Sequence, residues 1–350
     1  MNHNANLNHN TNDTYDFDRY DEYEEQFDPI TNSRQMRRQG KHKSSRAPKP
    51  APQESPTDFA EAVDLENEFN ISYQPSRYEA GWLVDTLRPF YEQTLIADVL
   101  ALVRGGKEAT VYCCEAHPSV GLPLLAAKVY RPRKFRSLRN DAVYREGRQI
   151  LTAEGRAVKN NDHRVMRAIG KKSAFGVEVA QTSWLMYEFK TLQALHAMGA
   201  AVPRPVAVGE HGVLMGYYGD AEMPAPTLNE VRLDRDEAAL LLAETLRNVE
   251  LMLSHGLIHG DLSAYNILYW EGEIVLIDFP QVIDSRNNPQ SYQILRRDVT
   301  RVCEYFQRQG APSDPTRITD ALWAEYVNLS PADWLDVLPE DLDDDEDAAR

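Results

Sequence analysis

Hydrophobic and polar positions along this chain follow two different periods, and a block of strand-like pattern precedes a block of helical pattern. From about Tyr78, WLVDTLRPFYEQTLIADVLALV places apolar residues at helical spacing and predicts one or two helices that pack on the next segment of chain. Residues 101–130 change to strand character, with the runs ALVRGG, TVYCC and LPLLAAKVY divided by Gly and Pro. TSWLMYEFKTLQALHAMG (182–199) is an amphipathic helix that stops at Gly199, before PRP. Residues 205–218 read as two strands around Gly209-Glu210-His211-Gly212. A second long helix is predicted from Asp234 to His255. GLIHGDLSAYNILYW and EGEIVLIDF then supply a loop, a strand, a turn and a strand, and helices run on to about residue 327. The order predicts an α+β molecule, with a β-rich lobe followed by an α-rich lobe.

The flanks differ from this pattern. Residues 1–75 begin Asn-rich and pass through an acidic, aromatic run (Asp13 to Asp28). A basic run (Arg34 to Lys49) and Pro-rich APKPAPQESP follow. Such composition buries too little apolar surface to offset chain entropy, so a disordered tail is predicted, either merely solvated or serving as a docking arm. Asp341 to Asp347 lie in a second, acidic tail. The predicted division is a tail over 1–75, a first lobe over 76–215 containing a basic insert at 131–180, a second lobe over 216–328, and the acidic tail over 329–350.

With 350 residues, 42% of them hydrophobic, the chain can bury a full-sized core. Its net charge of −16 argues against a protein coated with nucleic acid. The local balance is different, because residues 128–172 hold 14 Lys or Arg against four Asp or Glu. That stretch reads either as a flexible solvated loop or as a patch for RNA or another polyanion. Cys113, Cys114 and Cys303 form no paired framework and no metal spacing, which fits a reducing cytoplasm. No apolar signal core opens the chain and no stretch reaches the length of a bilayer span, so no membrane role is expected.

Chemistry concentrates in His259-Gly260-Asp261-Leu262-Ser263-Ala264-Tyr265-Asn266 and in Ile277-Asp278-Phe279, which ends the apolar run Ile274 to Ile277. Phosphoryl transfer needs a carboxylate to orient or deprotonate the attacking hydroxyl, and oxygen ligands for Mg²⁺ on the phosphates of ATP. The spacing matches that use: Asp261 is the candidate catalytic residue, with Asn266 and Asp278 as candidate metal ligands. Upstream, Gly105-Gly106-Lys107-Glu108 between two predicted strands reads as a phosphate loop or as a plain hairpin turn, with Val111 just beyond it. Lys128 stands inside an apolar strand and requires an anionic partner. Glu188, midway along the 182–199 helix, is the candidate carboxylate, the alternative being a solvated helix face. Val213 to Tyr218 reads as the segment joining the lobes. Met215 would border an adenine and the backbone around Tyr217 would bond to it, although an ordinary edge strand would look the same.

These residues resemble the RIO kinases, an atypical serine/threonine protein kinase family. GGKEATVY is similar to the family's phosphate loop and IDFPQ (Ile277 to Gln281) to its metal-binding loop. MPAP (Met223 to Pro226) and LRRDV (Leu295 to Val299) also resemble family stretches. The resemblance covers residues 80 to about 310. It implies a trimmed bilobal kinase-like fold with ATP and Mg²⁺ (or Mn²⁺) between the lobes, autophosphorylation, ATPase turnover, and Asp278 as a phosphate acceptor. It also implies ties to maturation of the small ribosomal subunit, as in eukaryotic and archaeal members. Gly216 stands where the family often has glutamate, and neither a winged-helix module nor an APE motif is visible. Without the activation-loop platform that an APE motif ends, a protein substrate does not follow from the motifs alone. Transfer to a protein or to the chain itself is one expectation. The others are an aminoglycoside-type small-molecule kinase and a nucleotide-switched RNP assembly factor.

Overall fold

The computed structural model describes residues 69, 71–106, 109–130, 150–153, 155–158, 162–171 and 173–327. Nearly all of the two expected tails, Lys107 and Glu108 of the expected phosphate loop, and 131–149 of the basic insert lie outside the described residues. Within them the fold is mixed α and β, a sheet-based lobe followed by a helical one, as in kinases.

Helix α1 (Arg77–Glu92) begins after Ser76, whose backbone N–H donates to Glu79 at 3.1 Å. Of the one or two helices expected over this stretch, one forms. Thr94 turns the chain at φ 54°, and Ile96–Gly105 is strand β1. Its β-branched Ile96, Val99 and Val103 suit a pleated surface, and pairing with β2 (Ala109–Ala116) satisfies the backbone, so tertiary pairing overrides the helical spacing. Strands β3 (Leu124–Tyr130), β4 (Pro205–Val208) and β5 (Gly212–Gly216) complete an antiparallel sheet in the order β1-β2-β3-β5-β4. Because β5 lies between β3 and β4, the edge-strand alternative for 213–216 does not hold.

Strand alternation decides what each face of this sheet carries. Leu125, Ala127 and Val129 turn to one side and pack with Leu83, Leu87 and Phe90 of α1. Ala126, Lys128 and Tyr130 therefore turn to the other, where Tyr130 and Val213 pack against Leu185 and Phe189. Those two residues belong to helix α3 (Ala174–Ala197), which starts eight residues earlier than its sequence pattern predicts. The short helix α2 (His163–Gly170) precedes it, so this part of the basic insert is helical rather than loop. The chain leaves α3 through Gly199 at φ 79°.

The second lobe is built on α4 (Arg235–Ser254), whose N-cap Asp234 accepts from the backbone of Asp236 and Glu237. Strand β6 (Leu257–Ile258) pairs with β9 (Ile283–Asp284), and β7 (Ile267–Trp270) with β8 (Glu273–Leu276). Helices α5 (Ser291–Arg308) and α6 (Pro315–Tyr326) close the lobe. Met252, Leu262, Ile267, Val299 and Phe306 bury their side chains in one cluster, each contributing about 1.5–3 kcal/mol. That cluster holds the loops after β6 and β8 in place. Among the described residues no helix is long and apolar enough to cross a membrane.

Candidate active site

Lys128 reaches across the sheet face that α3 covers. Its ammonium lies 2.5 Å from Glu188 Oε1 and 2.5 Å from Asp278 Oδ1. Glu188 shares a helix face with Leu185 and Leu192, three residues before it and four after, and it is 3% exposed. The solvated-face alternative for Glu188 is thereby overturned. Its second oxygen accepts from the Tyr130 hydroxyl, which lies two residues from Lys128 on the same face of β3. The carboxylate of Asp278 is the most open of the three groups, with 40% of the side chain exposed against 4% for Glu188.

Charge and burial compete in this cluster. Burial alone would push the Lys128 ammonium down, but the Asp278 and Glu188 carboxylates together hold its pKa above the usual lysine value. Burial wins at Glu188, whose carboxyl is pushed up although the Lys128 charge opposes it. Desolvation also works against charge on Asp278. There the Lys128 ammonium prevails and holds the carboxyl below the usual range, with the charges of His259 and Arg104 acting in the same direction. Asp278 takes a left-handed backbone conformation, φ 72°, which a non-glycine residue adopts at some cost and keeps only where its surroundings enforce it.

The loop after β6 is shaped by Gly260, at φ 83°. A Cβ there would lie 2.3 Å from the carbonyl oxygen of Gln281, so only glycine lets this loop approach the loop after β8 so closely. Asp261 follows, 5% exposed. Asn266 donates through Nδ2 to the Asp261 carbonyl at 2.9 Å and to Asp261 Oδ2 at 3.2 Å. The backbone of Asn266 accepts from Ile277 N at 3.0 Å, and His259 Nε2 meets Ile277 O at 3.1 Å. Asp261, Asn266 and Asp278 thus belong to two loops bonded to each other.

Among the described residues no three His, Cys, Asp or Glu side chains converge as a metal cage. A donor set of one amide oxygen and one open carboxylate nevertheless fits Mg²⁺, which is held by few protein ligands together with phosphates and water. The remaining predicted contacts fall on the sheet. Gly105 and Gly106 form the end of the β1–β2 hairpin, where Gly106 N donates to Ala109 O at 2.9 Å, so this segment has hairpin geometry. Val111 and Val213 pair with Lys128, and Met215 with Ala126, so Val111 and Met215 share the lysine's face. Met215 packs against the clusters of both lobes. Tyr217 is half-buried just after β5, and burial beside Cys113 pushes its hydroxyl up to about 12.

Sequence reasoning missed the support that α5 gives. Asp298 Oδ2 accepts from Gly260 N at 2.8 Å, and Arg297 donates to the carbonyl of the same glycine. Arg301, 2% exposed, donates through Nη1 to Asp261 Oδ1 at 2.9 Å. Only the RRD part of this helix stood out in the sequence. Arg301 looks like one more surface arginine on an amphipathic helix until the Asp261 loop is folded against it.

Comparison with known proteins points the same way. The protein-family model described as RIO domain matches residues 143–318. A RIO-type serine/threonine-protein kinase Rio1 of Haloferax volcanii is 35% identical over 133 residues, 38% of this chain and 44% of its own length. The serine/threonine-protein kinase RIO1 of Chaetomium thermophilum is 26% identical over 254 residues, covering 67% of this chain and 45% of that protein. A Rio1 of Thermoplasma acidophilum is 28% identical over 137 residues, 70% of its length. The chain therefore spans less than half of the first and second of these relatives. The matched half of the chain includes α3 with Glu188, both loops of the site and α5, while Lys128 on β3 lies before it, and the chain belongs to the RIO domain family.

Proposed function

We propose that this chain is an atypical serine/threonine protein kinase that transfers the γ-phosphoryl group of ATP to a hydroxyl, on a protein or on itself, with some turnover to water. The observation that carries the reading is the convergence of Lys128, Glu188 and Asp278 beside the mutually bonded Asp261 and Asn266. Lys128, held by Glu188, would meet the ATP phosphates and keep them in line with the acceptor. Val111 and Met215 would flank the adenine, with the backbone near Tyr217 bonding to it and Gly105 and Gly106 near the phosphates. Asn266 and Asp278 would hold Mg²⁺ (or Mn²⁺), which would neutralise phosphate charge. Asp261 would orient the acceptor hydroxyl and take up its proton. Membership of the RIO domain family favours a protein hydroxyl over an aminoglycoside-type small molecule.

The test is incubation of the full chain with labelled ATP and Mg²⁺, alone and with generic protein. Self-labelling should fall at least about 10²-fold in Asp261→Ala. Acid-stable label marks Ser or Thr, and label lost in hydroxylamine marks an aspartyl phosphate at Asp278. Unchanged labelling in both Asp261→Ala and Asp278→Ala would sink the assignment.

One observation favours a second role, that of a nucleotide-switched RNP assembly factor. A 330 Å³ groove between α2 and the start of α3 is lined by His163, Arg164, Arg167, Ala168, Lys171 and Ser173, and the Arg164 guanidinium lies 5.7 Å over the exposed Phe175 ring. Cationic groups beside an exposed aromatic suit single-stranded RNA. ATP turnover stimulated by RNA, weakening steeply with salt and lost in Arg164→Glu/Arg167→Glu, supports this role, and indifference to RNA removes it.

A further inference from the structure

Helix α5 presents Arg297, Asp298 and Arg301 to the loop after β6, at spacings that place them on one side of the helix. Asp298 and Arg297 take the N–H and C=O of Gly260, and Arg301 takes the side chain of Asp261. Both oxygens of that carboxylate are then directed, Oδ1 by Arg301 at 2.9 Å and Oδ2 by Asn266 at 3.2 Å. Arg301 is among the largest fully buried side chains described. Stability gives a weak reason for such a pair. Desolvating an arginine and an aspartate costs as much as their attraction returns, and a packed apolar pair commonly does as well. What an ion pair adds is direction, because a guanidinium holds a carboxylate by oriented N–H groups.

We infer that Arg301 is a positioning residue for Asp261, setting the direction of the carboxylate toward the acceptor hydroxyl without itself touching the nucleotide. The inference rests on the phosphotransferase reading of the site. The triphosphate side of the site is built separately, from Lys128, Glu188 and Asp278. Removing the guanidinium therefore lets the Asp261 side chain turn while the ATP contacts stay in place, and the loss falls on kcat. Misplacement by about 1 Å is enough for a large effect.

Arg301→Ala and Arg301→Lys, made in the full chain, are compared with the wild type for Mg²⁺-ATP turnover, self-labelling and ATP affinity, with and without millimolar guanidinium. Arg301→Ala should lose about 10²-fold in kcat with its KM for ATP changed less than about two-fold, and guanidinium or the lysine variant should restore at least about ten-fold. Unchanged kcat in Arg301→Ala overturns the inference. So does a loss confined to KM, or a loss in a natively melting variant that neither guanidinium nor lysine relieves. If Arg301→Ala does not fold, Arg301→Lys and Arg301→Gln decide by the same split of kcat against KM. A wild-type chain that neither labels itself nor turns over ATP sinks the phosphotransferase reading, and this inference with it. An active wild type with an indifferent Arg301 sinks the inference alone.

Discussion

The Lys128 ammonium sits 2.5 Å from the Asp278 carboxylate, across 150 positions of sequence. One residue stands on the central strand of the sheet and the other follows the β7–β8 hairpin, so their contact joins the two lobes. Glu188 completes the cluster from α3. Two carboxylates thus surround one ammonium; under the proposed function a cation would compete with Lys128 for Asp278, and phosphate with Asp278 for Lys128.

Lys128→Met should therefore leave two carboxylates facing each other and lower Mg²⁺-ATP turnover by about 10²-fold or more, the scale for losing one oriented charge stabiliser. Glu188→Gln should lower it less, since the lysine keeps Asp278. Steady-state kinetics on the two variants checks the order, and an equal loss in both would contradict it.

Asp278 makes a pH-dependent contribution to the nucleotide-free protein. Its folded carboxyl titrates below the usual aspartate value of about 3.9, so its stabilising effect is present above that value and is lost as pH falls through the lower folded one. Asp278→Asn should flatten the decline of melting temperature below about pH 4. Thermal melts across the acid range give the comparison, and a decline as steep as in the wild type counts against the pair. Glu188 carries the opposite sign, its raised carboxyl favouring the folded state at low pH.

Gly260→Ala meets two obstacles, a left-handed backbone and the carbonyl of Gln281 at 2.3 Å. The expected cost is at least about 2 kcal/mol in urea unfolding, combining the left-handed penalty with local overpacking. A stability equal to the wild type would show that the two loops separate without cost.

The three cysteines are free and buried, and burial pushes the Cys113 thiol up to about 11. At pH 8 a soluble thiol reagent should modify none of them rapidly in the native chain, and all three in urea. Fast modification of Cys113 or Cys114 would show that β2 opens readily.

Much of this protein is determined by local sequence. The strand runs around TVYCC and LLAAKVY, the helix that stops at Gly199 and the helix capped by Asp234 need only near neighbours to define them, because period and capping act over a few residues. The HGD and IDF motifs can be recognised from the local residues even though their loop shapes depend on distant contacts. Other features depend on partners far along the chain. LIADVLALV has the spacing of a helix but becomes β1 because β2 satisfies its backbone. Glu188 could have faced solvent until α3 packed on the sheet and buried it against Lys128. Arg301 carries no local signal at all. Its role arises only when α5 folds under the Asp261 loop, since a buried charge takes its meaning from the opposite charge that tertiary packing brings within hydrogen-bond reach.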